Sequence, residues 1–167
     1  MKIMVFLHGT VLMHRTALGQ TREERVRQVI AGDESVQDFA SYVPAGDAVR
    51  KLQRWQSQNA ELVYLSSQQD LADLEKDRTV LRRYGFPDGP VLHRQNEERY
   101  ADIAARIRPD VFIEDDCESI GGEEEMTYPH IAPELKAIVK SIVVKEFGGI
   151  DHLPDNVHDL LSAPASE

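Results

Sequence analysis

A single cysteine, Cys117, occurs in 167 residues, which rules out an intrachain disulfide framework and a cysteine-based zinc cluster. Long apolar runs are missing too. None approaches the roughly 18 residues of a membrane span, and the opening residues lack the apolar core and small-residue cleavage site of a secretory leader. Positive charge is scarce, with Lys and Arg numbering 19 against 29 Asp and Glu, a formal charge of −10. A chain this acidic has no broad attraction to nucleic acid or anionic lipid. From these absences we expect a soluble, cytoplasmic protein with no nucleic-acid partner and no membrane partner. Small anionic ligands stay open to it where the local site is positive, and the oligomeric state is left open.

What is present alternates between strand and helix. Ile3–Leu7 is a continuous apolar run of the kind found in a central strand covered on both faces, and it runs into His8-Gly9-Thr10. Residues 6 and 8 lie two apart, so on a strand Phe6 and His8 are expected to point to the same side. Thr21 with Glu24 forms a capping-box pattern, and Val26, Val29 and Ile30 follow at helical spacing, predicting a helix over about 21–31. A second short helix is expected over 33–40. Pro44-Ala45-Gly46 opens a helix to about Gln58 with Val49, Leu52 and Trp55 on its buried side. Strands are predicted at 61–65, 90–93, 110–113 and 142–144, and helices from the polar exit 66–70 to Tyr84-Gly85, over 97–107 and over 133–139. Residues 163–167 are expected to fray.

Strands separated by helices predict one α/β domain over residues 1–167, a Rossmann-like three-layer sandwich around a central parallel sheet. The stretch 13–43 breaks this rhythm and reads as a small helical cap inserted after the first strand, lying over the strand ends. In such a sheet the carboxyl ends of the strands converge on one crevice. The converging exits are His8-Gly9-Thr10, Ser66-Ser67 and Glu114-Asp115-Asp116.

In their order and placement these exits resemble the motifs of the haloacid dehalogenase superfamily. The first of those motifs is an apolar strand followed by Asp-x-Asp-Gly-Thr, the second a strand ending in Ser or Thr, and the fourth a strand ending in acidic residues. The resemblance runs from Lys2 to about Val144 and includes Tyr42–Gly46 and Tyr84–Pro87. It implies a phosphatase scaffold, Mg²⁺ as cofactor and a small phosphorylated molecule as ligand. Residue by residue, Phe6 stands where the family's nucleophilic Asp would be, and His8 where the acid/base Asp would be. Thr10 is retained. Ser66, with Ser67 beside it, matches the phosphate-binding hydroxyl, and Glu114, Asp115 or Asp116 would hold the metal. Arg94 and Arg99 are the candidates for the cation that neutralises phosphate, with Lys76 and Arg78 behind them.

The departures at positions 6 and 8 decide what is expected of function. Phe6 has no nucleophilic atom and removes a metal ligand, so both aspartyl-phosphate chemistry and Mg²⁺ affinity are expected to suffer. His8 retains the capacity to move a proton near neutral pH. Three readings follow: a very weak or non-catalytic phosphatase scaffold, a Mg²⁺-dependent phosphohydrolase with altered chemistry using His8 and the acidic exit, and a module that binds a phosphorylated metabolite or a protein. Each residue also has a plain structural reading. Phe6 fills space, His8 is hydrogen-bonded in a turn, and Ser66 and Ser67 cap a helix. Glu114–Glu118 and Glu123–Glu125 are solvated acidic loops, Cys117 is a small buried hydrophobe, and Gly121-Gly122 and Gly148-Gly149 are loop turns.

Overall fold

A computed structural model describes residues 1–163. Its strands are β1 (Lys2–Phe6), β2 (Leu12–Met13), β3 (Val43–Pro44), β4 (Glu61–Leu65), β5 (Val91–Leu92), β6 (Val111–Asp115) and β7 (Lys140–Val144). The α-helices are α1 (Arg22–Ile30), α2 (Ala48–Ser57), α3 (Leu71–Tyr84), α4 (Tyr100–Ile107) and α5 (Pro133–Lys136). Five strands form one parallel sheet in the order β5-β4-β1-β6-β7, and β2 pairs antiparallel with β3 in a separate ribbon.

The apolar run at the start of the chain becomes the middle strand because both its faces are covered. Ile3, Val5 and Leu7 pack with Leu52 and Trp55 of α2 and Val80 of α3. Met4 packs on the opposite face with Ala101 and Ile103 of α4 and Leu135 of α5. The α/β sandwich expected from the sequence is therefore the observed architecture. After β7 the chain returns to the first of these layers, where Ile150, Leu153, Val157 and Leu160 are buried in the same core, and Pro154 accepts a 2.9 Å hydrogen bond from Trp55 Nε1.

Several boundaries moved. β6 extends through Asp115, so Glu114 and Asp115 lie within the strand. The expected helix over 33–40 is two 3₁₀ turns, Glu34–Gln37 and Phe39–Ser41. The second helix starts at Ala48 because Pro44 belongs to β3 and Gly46 takes a positive φ of 58°. The helix expected from residue 97 begins at Tyr100. Of the expected frayed end, Ala163 is buried and residues 164–167 lie outside the described residues.

The segment between β2 and β3 holds α1 and the 3₁₀ turns. The Thr21–Glu24 capping box is formed in full. From α1, Arg22 Nε donates to Glu146 O at 3.0 Å and Arg25 Nη1 to Phe147 O at 2.7 Å, tying the segment to the loop after β7.

Candidate functional site

Outside the carboxyl end of β1 lies a crevice of about 370 Å³. Val29, Val36, Phe39 and Tyr42 from the segment between β2 and β3 line it, opposite Phe6, His8, Ser67, Arg94 and Tyr100 and the acidic residues Glu114, Asp115, Glu125 and Glu146. A second depression, of about 960 Å³, opens beside β7 around Ile142, Val144 and Leu153, away from the ends of β1 and β4.

β1 ends at Phe6, and this separates two side chains expected to share a side. Phe6 packs edge-on against Tyr100 of α4, ring centroids 5.1 Å apart. His8 lies beyond the strand and packs edge-on against Tyr42 at 5.3 Å and tilted against Phe39 at 5.7 Å. Alternation stops where the strand stops, so Phe6 joins the α4 layer while His8 turns toward α3. Gly9 follows with φ 83°, and a Cβ there would sit 2.6 Å from Asp115 Oδ2, so only glycine allows this approach.

His8 is held at both nitrogens. Nδ1 is 2.6 Å from Ser67 Oγ and Nε2 is 2.9 Å from Oδ1 of Asp77, which lies on α3 with no exposed surface. The second carboxylate oxygen of Asp77 accepts from Ser66 Oγ at 2.6 Å, and Ser66 Oγ accepts from Gln68 N at 3.0 Å. Ser66, the expected phosphate-binding hydroxyl, is thus fully committed within the protein. Ser67 is exposed at the strand-to-helix turn. Asp77 was missed in the sequence. Its signal was there: it falls three residues after Leu74 and three and four before Val80 and Leu81, on the apolar stripe of α3, where an unpartnered carboxylate would be costly.

The three consecutive carboxylates of the acidic exit face three different sets of partners. Glu114 accepts from the backbone N–H groups of Thr127 (2.7 Å) and Tyr128 (2.8 Å), and burial, outweighing these bonds, pushes its pKa up to about 7. Asp115 accepts from Thr10 Oγ1 at 2.8 Å and from Cys117 N at 3.0 Å, and burial raises it too. Asp116 pairs with Lys145 Nζ at 3.1 Å and Arg22 Nη2 at 3.6 Å, and accepts from Glu146 N at 3.0 Å. Glu146, also raised by burial, accepts from Ser119 N and Oγ. Magnesium asks for converging oxygens in near-octahedral array. Both Asp115 oxygens are occupied, Phe6 offers none, and among the described residues no group of three His, Cys, Asp or Glu side chains converges as a metal cage. The donor set does not fit the ion.

Of the two arginines, Arg94 lines the crevice, its guanidinium carbon 4.4 Å from the centre of the Tyr100 ring, and its buried Nε finds no acceptor among the described residues. Arg99 is at the exposed start of α4, paired with Asp102 at 3.0 Å, and is not part of the crevice wall. Lys76 and Arg78 form surface pairs with Asp73 and Glu75 along α3. Burial, with Asp115, Glu114 and Glu146 adding to it, drives the Cys117 thiol pKa far up, which keeps it protonated.

No protein-family model matches this sequence, and no curated protein matches it either. Solved structures do resemble it. The class C acid phosphatase of Bacillus anthracis aligns with a TM-score of 0.56 at 16% identity in a tungstate-bound structure, over 89% of this chain and 68% of that one. A second structure of the same enzyme gives 0.57 at 15% identity, over 89% and 67%. A D,D-heptose 1,7-bisphosphate phosphatase from B. bronchiseptica, solved with magnesium and phosphate, aligns with a TM-score of 0.45 at 12% identity, over 89% and 94%. This chain thus shares its α/β fold with the class C acid phosphatase structures.

Proposed function

We propose that this chain is a phosphatase scaffold from which the aspartyl-phosphate route has been lost, leaving a crevice that binds a small molecule. The observation that carries this reading is the Phe6 ring, seated on Tyr100 at the end of the middle strand, where a carboxylate would have to attack phosphorus. Positioning accelerates a reaction only when the reacting group is present. His8 supplies no substitute carboxylate and is itself bound to Ser67 and Asp77. A small phosphorylated molecule is the ligand class the scaffold suggests, and the presence of Arg94 on the crevice wall supports it. Charge weighs the other way, because Glu114, Asp115, Glu125 and Glu146 line the same crevice. A ligand with an apolar end among Phe6, Phe39, Tyr42 and Tyr100 and one polar or singly charged group near Arg94 suits this lining better than a dianion.

The test is p-nitrophenyl phosphate hydrolysis by the full chain with Mg²⁺. Turnover indistinguishable from the protein-free rate is expected. A kcat on the order of 1–10³ per second would overturn the proposal.

A further inference from the structure

We propose that Ser67, His8 and Asp77 form a nucleophile, base and orienting carboxylate with which the crevice cleaves small carboxylic esters through an acyl-Ser67 intermediate. This goes beyond the loss of phosphoryl transfer, which concerns the side chain at position 6; here the reacting atom is a hydroxyl on another strand exit.

Three observations converge on it. The first is connectivity: Ser67 Oγ to His8 Nδ1 at 2.6 Å and His8 Nε2 to Asp77 Oδ1 at 2.9 Å, both within the reach that nucleophile–base–orienter chemistry needs. With Ser67 donating to Nδ1, the ring proton sits on Nε2 and is given to Asp77. The second is rigidity. Asp77 is fully buried and fixed on its other oxygen by Ser66, and the imidazole is flanked by Phe39 and Tyr42, so base and orienter are preset. Of the three residues only Ser67 is exposed, at the turn between β4 and α3. The third is the crevice. Its aromatic walls suit a short apolar acyl or aryl group, and the Arg94 guanidinium is the cation on its wall for a developing oxyanion. A neutral ester also avoids the repulsion that the lining carboxylates would exert on a phosphate.

The chemistry balances without a cofactor. Ser67 Oγ bonds to the ester carbonyl carbon as its proton passes to His8 Nδ1. The tetrahedral adduct then breaks its bond to the alcohol oxygen, which departs with that proton. Water adds to the acyl carbonyl while His8 Nδ1 takes its proton, and the acid leaves as Ser67 Oγ is reprotonated. The net reaction is ester plus water to acid plus alcohol.

The experiment measures p-nitrophenyl acetate and butyrate hydrolysis together with labelling by a fluorophosphonate, located by peptide mass mapping. One adduct, on Ser67, is expected. Ser67→Ala is expected to abolish it and to lower hydrolysis by about 10²–10⁴-fold, and His8→Gln to lower both to a similar degree, while Ser57→Ala on α2 changes neither. No adduct at Ser67, or equal ester hydrolysis by the wild type and Ser67→Ala, would overturn the proposal. Asp77 acts through His8 and is a positioning residue. Asp77→Asn is expected to slow labelling and to move the ring proton of His8, read from the histidine ¹⁵N resonances; unchanged labelling would remove Asp77 from the assignment. Because Asp77 is in the core, Ser67→Cys provides a second handle. Alkylation at residue 67 by iodoacetamide is expected to slow when His8→Gln is added, and an unchanged rate would count against His8 as the base. Phosphatase turnover would sink the reading of the preceding section and leave this one standing, whereas an unlabelled Ser67 does the reverse.

Discussion

Single side chains carry most of the chemistry at the carboxyl end of this sheet. Glu114 is the clearest case at this scale. Its pKa is raised by burial to about 7, so between about pH 4.5 and 7 the folded protein holds a proton that the unfolded chain has released. Stability contributed by that proton is fully present below about pH 4.5 and is lost as pH rises through about 7, a change of about 3 kcal/mol if Glu114 acted alone. Asp115 and Glu146, also raised by burial, add to the same slope. Urea unfolding between pH 4.5 and 7.5 is therefore expected to show stability falling with pH, and Glu114→Gln to flatten much of that fall. Sequence alone placed an acid at this strand exit. That it accepts two backbone N–H groups from residues 127 and 128, 13 and 14 positions away, depends on a loop path no local pattern encodes.

Elements obey local chemistry more closely than side chains do, and their expected positions were correspondingly nearer. The capping box at Thr21 was legible because it needs only residues three apart. α3 has an equally local start: Asp70 accepts from Ala72 N at 2.7 Å and Asp73 N at 3.3 Å, and Gly85 closes the helix with φ 72°. Asp70→Ala is expected to cost about 1 kcal/mol in urea unfolding, and Gly there less than Ala. The elements read wrongly were those where tertiary pairing competed with propensity. Pro44 pairs with Leu12 in the ribbon and so leaves the helix to begin later. Residues 34–41 form 3₁₀ turns, with Phe39 packed against His8 and Tyr42.

At the scale of the whole molecule, the chain beyond the last strand completes the core. Leu153, Val157 and Leu160 are buried against the α2 side of the sheet, alongside the only tryptophan. At about 1.5–3 kcal/mol for each such side chain, removing residues 150–167 is expected to cost several kcal/mol. Trp55, now buried and bonded to Pro154, would report this as a red-shifted emission and an earlier urea midpoint. By itself the sequence determined the alternation of strands and helices, the buried middle strand and the exits at residues 8–10 and 66–67, because those follow from spacing within a few residues. Tertiary structure alone decided that His8 sits between Ser67 and Asp77, that three neighbouring carboxylates part company, and that Arg94 rather than Arg99 faces the crevice. Those outcomes rest on contacts such as His8 with Ser67 and Asp77, 59 and 69 residues apart, which exist only once the sheet has brought its strand ends together.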